Sequence, residues 1–157
     1  MSSTKFETDK VMIRPLKDGD DAEWLRLRHA LWPHEIQAEL EQEMVDLRLN
    51  PDKDAVFVAQ CAEGILCGMI EVSIHETAKG CRTNNVGYLE GWFVDSEWRS
   101  HGIGRKLVEA AEAWSRSQGC VEMASDTTSD YPLSPPAHER LGYQVVEHCF
   151  YFRKDLT

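Results

Sequence analysis

Residues 86–119 constrain the fold of this chain more than any other stretch. A long, mostly apolar run from Val86 to Val94 leads into Arg99-Ser100-His101-Gly102-Ile103-Gly104. Behind the glycines, Ile103, Leu107, Ala110, Ala111 and Trp114 recur on one helical face. Gly119 stands where a helix C-terminal cap belongs, and Val121 to Asp126 returns to strand-like composition. A strand, a glycine turn, an amphipathic helix and a second strand make a crossover between two neighbouring parallel strands. That unit commits the chain to a mixed α/β domain.

The flanking segments fit the same class. Val11 to Pro15 reads as a short edge strand. Asp20 and Glu23 have the spacing of a capping box, with Asp18 as the alternative cap, and behind them Trp24, Leu27 and Leu31 recur at helical spacing until Pro33 closes the segment. Ile36, Leu40, Met44 and Leu47 mark a second helix that stops at Asn50-Pro51. Ala55 to Gln60 and Ile65 to Ile74 read as strands joined through Glu63-Gly64. The polar stretch 76–85 is a loop, and Val86 to Val94 is apolar enough for a strand buried on both faces. A short helix is expected around Ala137 to Leu141, and a closing hairpin from Tyr143 to Glu147 and Phe150 to Arg153. The 157 residues suit one domain, 1–157, with residues 1–10 read as a flexible or tag-like extension and not a signal peptide.

Charge and cysteine usage narrow the function. Lys and Arg number 17 against 27 Asp and Glu, a formal charge of −10. That balance argues against a nucleic-acid partner, whose phosphates need cationic neutralisation, and is compatible with a cationic ligand. No apolar run approaches the ~20 residues that span a bilayer, so no membrane association is expected. Five cysteines at positions 61, 67, 81, 120 and 149 form no CxxC pair, which reads as reduced thiols in a cytoplasmic protein. Cys120 reads as a small buried hydrophobe and not as a nucleophile. The six histidines show no zinc-ligand spacing, so no metal site is expected. Gly-x-Gly between strand and helix suggests a phosphate cradle, because glycines let backbone amides approach an anion. The triphosphate loop is set aside because Gly104 is followed by Arg105-Lys106-Leu107, and the dinucleotide fingerprint because Leu107 stands where a third glycine or alanine belongs.

Arg99-x-x-Gly102-x-Gly104, after Trp92-Phe93-Val94 and before an amphipathic helix, resembles the acetyl-CoA signature of the GCN5-related N-acetyltransferases (GNAT). Arg140-Leu141-Gly142-Tyr143 is similar to that superfamily's Leu-Gly-Phe/Tyr ending. More specific are Leu31-Trp32-Pro33, Leu89-Glu90-Gly91, Glu122-Met123-Ala124-Ser125-Asp126-Thr127 and Phe152-Arg153-Lys154, which resemble bacterial aminoglycoside 6'-N-acetyltransferases. Together the resemblance covers Val11 to Lys154.

The resemblance implies a mostly antiparallel mixed sheet, splayed at a parallel strand pair near Val94 and Asp126 and flanked by helices. It implies acetyl-CoA as co-substrate, held by Phe93, Val94, Arg99, Ser100, His101, Gly102, Ile103, Gly104 and Arg105. Direct transfer in a ternary complex and a homodimer are implied as well. Transfer to an amine needs a base to free the nucleophile and can use an acid for the departing thiolate. Glu90 interrupts an apolar run and is the residue the family offers as base. His138 stands where many members carry tyrosine and is a candidate acid, although a surface histidine fits equally; Tyr131 and Tyr151 are less favoured. Asp126 is expected to face Glu90 across the cleft, as a catalytic or ammonium-binding carboxylate. Trp32, His34 and Glu35 are candidates for the acceptor roof, and Glu147 for a further charge. The expected function is acetylation of the aminoglycoside 6'-amine, conferring resistance. Another small amine or polyamine remains open as acceptor because of the altered Glu76-Thr77-Ala78-Lys79 loop, and so does a non-catalytic CoA-binding scaffold.

Overall fold

The computed structural model describes residues 10–157; the expected extension over residues 1–10 falls almost wholly outside them. The elements follow in the order β1 (Met12–Pro15), α1 (Asp21–Leu31), α2 (Gln37–Leu49), β2 (Asp54–Ala62), β3 (Ile65–His75), β4 (Val86–Val94), α3 (Ile103–Ser117), β5 (Met123–Ser125) and α4 (Ser134–Arg140). The five strands form one sheet in sequence order. Neighbours from β1 to β4 are antiparallel, whereas β4 and β5 are parallel, with α3 as their crossover. This is the expected mixed α/β architecture.

Both sheet faces are covered, which is why β2 and β3 read as nearly continuous apolar runs. On one face α3 packs Ile103, Leu107, Val108 and Ala111 against Ala59, Cys67, Ile70, Val72 and Leu89. On the other, Trp24 and Leu27 of α1 and Met44 of α2 meet Val56, Val58, Leu66 and Met69. Trp24 is fully buried, as its helical spacing requires.

Local structure departs from the sequence reading at three places. Asp20 precedes α1, but its carboxylate makes no capping bond; it takes both guanidinium nitrogens of Arg14, at 2.7 and 2.9 Å, and the Lys17 amide. Charge-assisted bonds to a fork-shaped cation outcompete a neutral amide, and the same Arg14 holds the Asp20 carboxyl below its ordinary range. The Glu23 carboxylate likewise goes to Arg26 and to the Leu66 amide. Secondly, α4 starts at Ser134, with Pro135 and Pro136 in its first turn, where proline costs no hydrogen bond. Thirdly, residues 143–157 form no hairpin. An isolated two-stranded ribbon is marginal, and the neighbouring edge strand β5 is only three residues long. Phe150, Tyr151 and Phe152 are consequently 81, 89 and 94% exposed.

Candidate active site

The parallel pair is short because β4 and β5 part soon after they meet. Only Gly87 to Leu89 pair with Met123 to Ser125, so β4 from Glu90 onward has no partner on that side. Its last three residues, Trp92, Phe93 and Val94, are therefore half-buried and not enclosed on both faces as the apolar run suggested. Beside this opening stands the N-terminus of α3. Gly102 has φ +81°, a left-handed conformation that favours glycine and turns the chain into the helix. The first backbone bond of the helix runs from Lys106 to the Gly102 carbonyl. The amides of Ile103, Gly104 and Arg105 thus face out of the helix end, where an anion is stabilised. Arg99 donates from Nε to the Val94 carbonyl at 2.9 Å and lies over the Phe93 ring, with its guanidinium anchored at the end of the strand. Arg26 pairs with Asp95 through both its terminal nitrogens and fixes the chain as it leaves β4. A glycine turn, free helix-end amides and an anchored arginine suit the pyrophosphate of a CoA ester.

The glycine positions separate two roles. A Cβ on Gly102 would meet no protein atom within 4 Å, so the left-handed backbone, and not crowding, reserves this position for glycine. On Gly104, by contrast, a Cβ would lie 3.2 Å from the Trp92 indole. Gly102→Val puts a β-branched residue into that left-handed backbone, so it is expected to shift the turn and weaken acetyl-CoA binding about tenfold or more, the effect of losing one charge-assisted hydrogen bond. Calorimetric titration of the folded variant checks this; unchanged affinity removes the loop from the cofactor site.

Glu90 owes its direction to a break in the ladder. Glu71 pairs with Gly91 and Val72 with Leu89, so Glu90 is the extra residue of a β-bulge. The bulge turns its carboxylate out of the sheet and into a cavity of about 450 Å³. Trp32, after α1, and Glu35 line the same cavity. Gly91 explains how Trp32 comes so close: a Cβ there would be 2.6 Å from the indole. Glu43, Asp46, Asp54 and Glu71 bring the carboxylates lining the cavity to six, against one guanidinium, Arg28. Such a cavity attracts polycations.

Arg28 and Glu71 are the buried members of this lining. Arg28 Nη1 donates to both Glu71 oxygens at 2.6 and 2.7 Å, and Nη2 donates to Glu43. Trp24 Nε1 adds a bond to Glu71 at 2.8 Å. Burial pushes the Glu71 carboxyl up, against the pull of Arg28. The guanidinium also lies 4.7 Å from the Trp32 ring centroid, which holds that indole in place.

Glu90 and Asp126 are joined by two stacked rings. His75 Nε2 hydrogen-bonds the Glu90 carboxylate, and the His75 ring lies flat on Tyr88 at 4.1 Å. The Tyr88 hydroxyl donates to Asp126, and burial together with that carboxylate pushes the phenol up. Asp126 therefore stands beyond the stack and does not line the cavity. His34 and Glu147 do not line it either, and Glu147 pairs with Lys79 at 3.2 Å. His138 reaches back from α4 to the end of β5, with Nε2 2.9 Å from Ser125 Oγ. Tyr131 donates to the Leu31 carbonyl at 2.8 Å, and Tyr151 is exposed in the C-terminal segment. Cys120 is buried, and burial pushes its thiol up, away from the thiolate a nucleophile needs. Among the described residues no cluster could hold a metal ion.

His75, Tyr88, Ser125, Glu43, Asp46, Asp54 and Glu71 are not among the site residues expected from the sequence. The signal for Glu43 and Asp46 was the acidic face of α2; His75 and Tyr88 become visible only through strand register.

The model of the acetyltransferase (GNAT) family matches residues 22–143. The chain is 37% identical over 147 residues to the aminoglycoside N(6')-acetyltransferase type 1 of Stenotrophomonas maltophilia, covering 92% of this chain and 93% of that protein. The protein of that name from Klebsiella aerogenes is 38% identical over 149 residues, with 92% and 97% covered. Among solved structures, AAC(6')-Iy bound to the bisubstrate analogue CoA-S-monomethyl-acetylneamine superimposes with a TM-score of 0.82 at 32% identity, covering 92% of this chain and 98% of that one.

Proposed function

The chain belongs to the acetyltransferase (GNAT) family, and from that premise we propose that it transfers an acetyl group from acetyl-CoA to the 6'-amine of aminoglycosides, so conferring resistance. The observation that carries the acceptor class is the bulged Glu90 carboxylate opening on an acidic cavity lined by Trp32. An aminoglycoside is a set of linked rings bearing several ammonium groups, which suits carboxylates disposed around a flat aromatic.

Each group then has a task. Glu90 accepts a proton from the incoming ammonium, and His75 on its carboxylate offers that proton a path to solvent. Trp32 packs on a sugar face while Glu35 and the carboxylates of α2 bind the remaining ammonium groups. Asp126, held by Tyr88, adds negative potential at the far end of the ring stack, Glu147 does so at the rim, and His34 offers a hydrogen-bonding edge to the acceptor. The α3 amides and Arg99 bind the pyrophosphate, with Ser100, His101 and Arg105 beside it and Phe93 and Val94 along the pantetheine. Acceptor and thioester meet where β4 and β5 part, so attack is direct and needs no acyl-enzyme.

The whole chain acts as one domain. We assign it to the cytoplasm, where acetyl-CoA is made; among the described residues no helix is long and apolar enough to cross a membrane. A homodimer accounts for the exposed aromatics at 150–152, which a second copy would cover.

Thiol release from acetyl-CoA tests this reading. Kanamycin and tobramycin are expected to give rapid release, and aminoglycosides lacking a 6'-amine none. Brisk turnover of simple polyamines with no turnover of any aminoglycoside overturns the acceptor assignment.

A further inference from the structure

Ser125 is the last residue of β5 that pairs with β4, so it stands at the point where the two strands open. Its hydroxyl lies 2.9 Å from His138 Nε2 and 3.5 Å from the Leu89 carbonyl. The other ring nitrogen, Nδ1, is 2.8 Å from the Ser134 carbonyl and 3.2 Å from the Ser134 hydroxyl. A carbonyl oxygen only accepts, so Nδ1 carries a proton in both charge states of the ring. Nε2 is therefore the nitrogen that gains and loses a proton, and Ser125 is its partner. The ring is also packed by its neighbours: Trp92 and Tyr143 stand perpendicular to the imidazole, with centroids 5.3 and 5.7 Å away. Trp92 brings a second observation. Its indole N–H is buried with no hydrogen-bond partner among the described residues, an unmet donor beside the same opening.

We propose that Ser125 is the proton donor to the CoA sulfur and that His138 acts through it and not directly on the thiol. The proposal rests on the acetyltransferase reading and adds a residue to it. When the C–S bond breaks, its electron pair stays on sulfur. The Ser125 hydroxyl passes its proton to that sulfur, and Nε2–H of the imidazolium restores the hydroxyl. Neutral imidazole and free thiol remain, and solvent returns the proton to Nε2. In the neutral state the hydroxyl donates to Nε2; in the charged state the bond reverses, which frees the hydroxyl proton for the sulfur. His138 is a positioning residue in this scheme, since its Nε2 faces serine.

The test uses the full chain, with tobramycin as acceptor and spermidine as control amine. Ser125→Ala is expected to lower kcat about tenfold or more, while the KM for acetyl-CoA stays within about twofold. The loss is modest for general-acid catalysis because a thiol of pKa ~8.5 departs without much help. Ser125→Thr, which keeps the hydroxyl, should restore kcat to within about twofold. His138→Gln combined with Ser125→Ala should be no slower than the slower single variant, because the two groups form one relay. An unchanged kcat in folded Ser125→Ala, a loss confined to KM, or multiplying losses in the double variant overturns the proposal. Transfer by the wild type to spermidine alone overturns the acceptor assignment and leaves the serine test intact on that amine. Transfer to neither amine overturns both.

Discussion

Replacing Glu90 by Gln is expected to lower turnover about 100-fold or more, the usual contribution of a positioned base. The change keeps the size of the side chain and its place on the bulge, so acetyl-CoA affinity should be unchanged. The mutant should also lose the acidic limb of its pH–rate profile, because the base itself is gone. Initial-rate measurements across pH check both points. If turnover falls less than about threefold and the profile keeps its shape, the proton leaves the amine by another route. Intersecting initial-rate patterns are expected in wild type and mutant alike, because both substrates must be bound together for direct attack.

The second large effect concerns stability. Arg28→Met is expected to destabilise the fold by about 3–5 kcal/mol, the range for breaking a buried ion pair by removing one partner. Glu71 would then keep only the Trp24 indole as a donor in an apolar interior. The sign of the pH dependence follows. Without Arg28, the folded-state pKa of Glu71 rises further above its unfolded value. A carboxyl raised in the folded state costs stability as pH climbs above the unfolded pKa. The deficit of the variant should therefore be smaller near pH 4 and grow toward neutrality, and Arg28→Met with Glu71→Leu should recover much of it. Denaturant titrations at several pH values measure this, and a loss under about 1 kcal/mol at pH 7 would show that the pair is not buried as described. The network reaches the site through Trp32, so partial unfolding there also removes an aromatic wall of the cavity.

Much of this architecture is legible in the chain itself, for identifiable reasons. The crossover is written in two independent signals, the glycine turn and the helical stripe from Ile103 to Trp114, and both refer to local geometry. Glu90 stands out because a carboxylate in an apolar strand demands an explanation. What the sequence could not show depends on contacts between distant segments. The ring stack of His75 and Tyr88 exists only because β3 and β4 pair in one register with a bulge at Glu90. Asp20 has the spacing of a cap, yet Arg14, on the preceding strand, takes its carboxylate. The hairpin expected over 143–153 has the right residue pattern, but a pattern forms a strand only when an edge receives it, and β5 offers three residues. Ser125 stood only as one letter of the 122–127 motif, because a serine at a strand end is ordinary until an imidazole is found on its hydroxyl.

The identity of the acetylated nitrogen tests the central claim most directly. Tobramycin incubated with the enzyme and acetyl-CoA should yield one monoacetylated product, and two-dimensional NMR should place the acetyl group on the 6'-nitrogen. Acetylation at any other nitrogen, or no acetylation while acetyl-CoA is consumed with polyamines, would contradict the account.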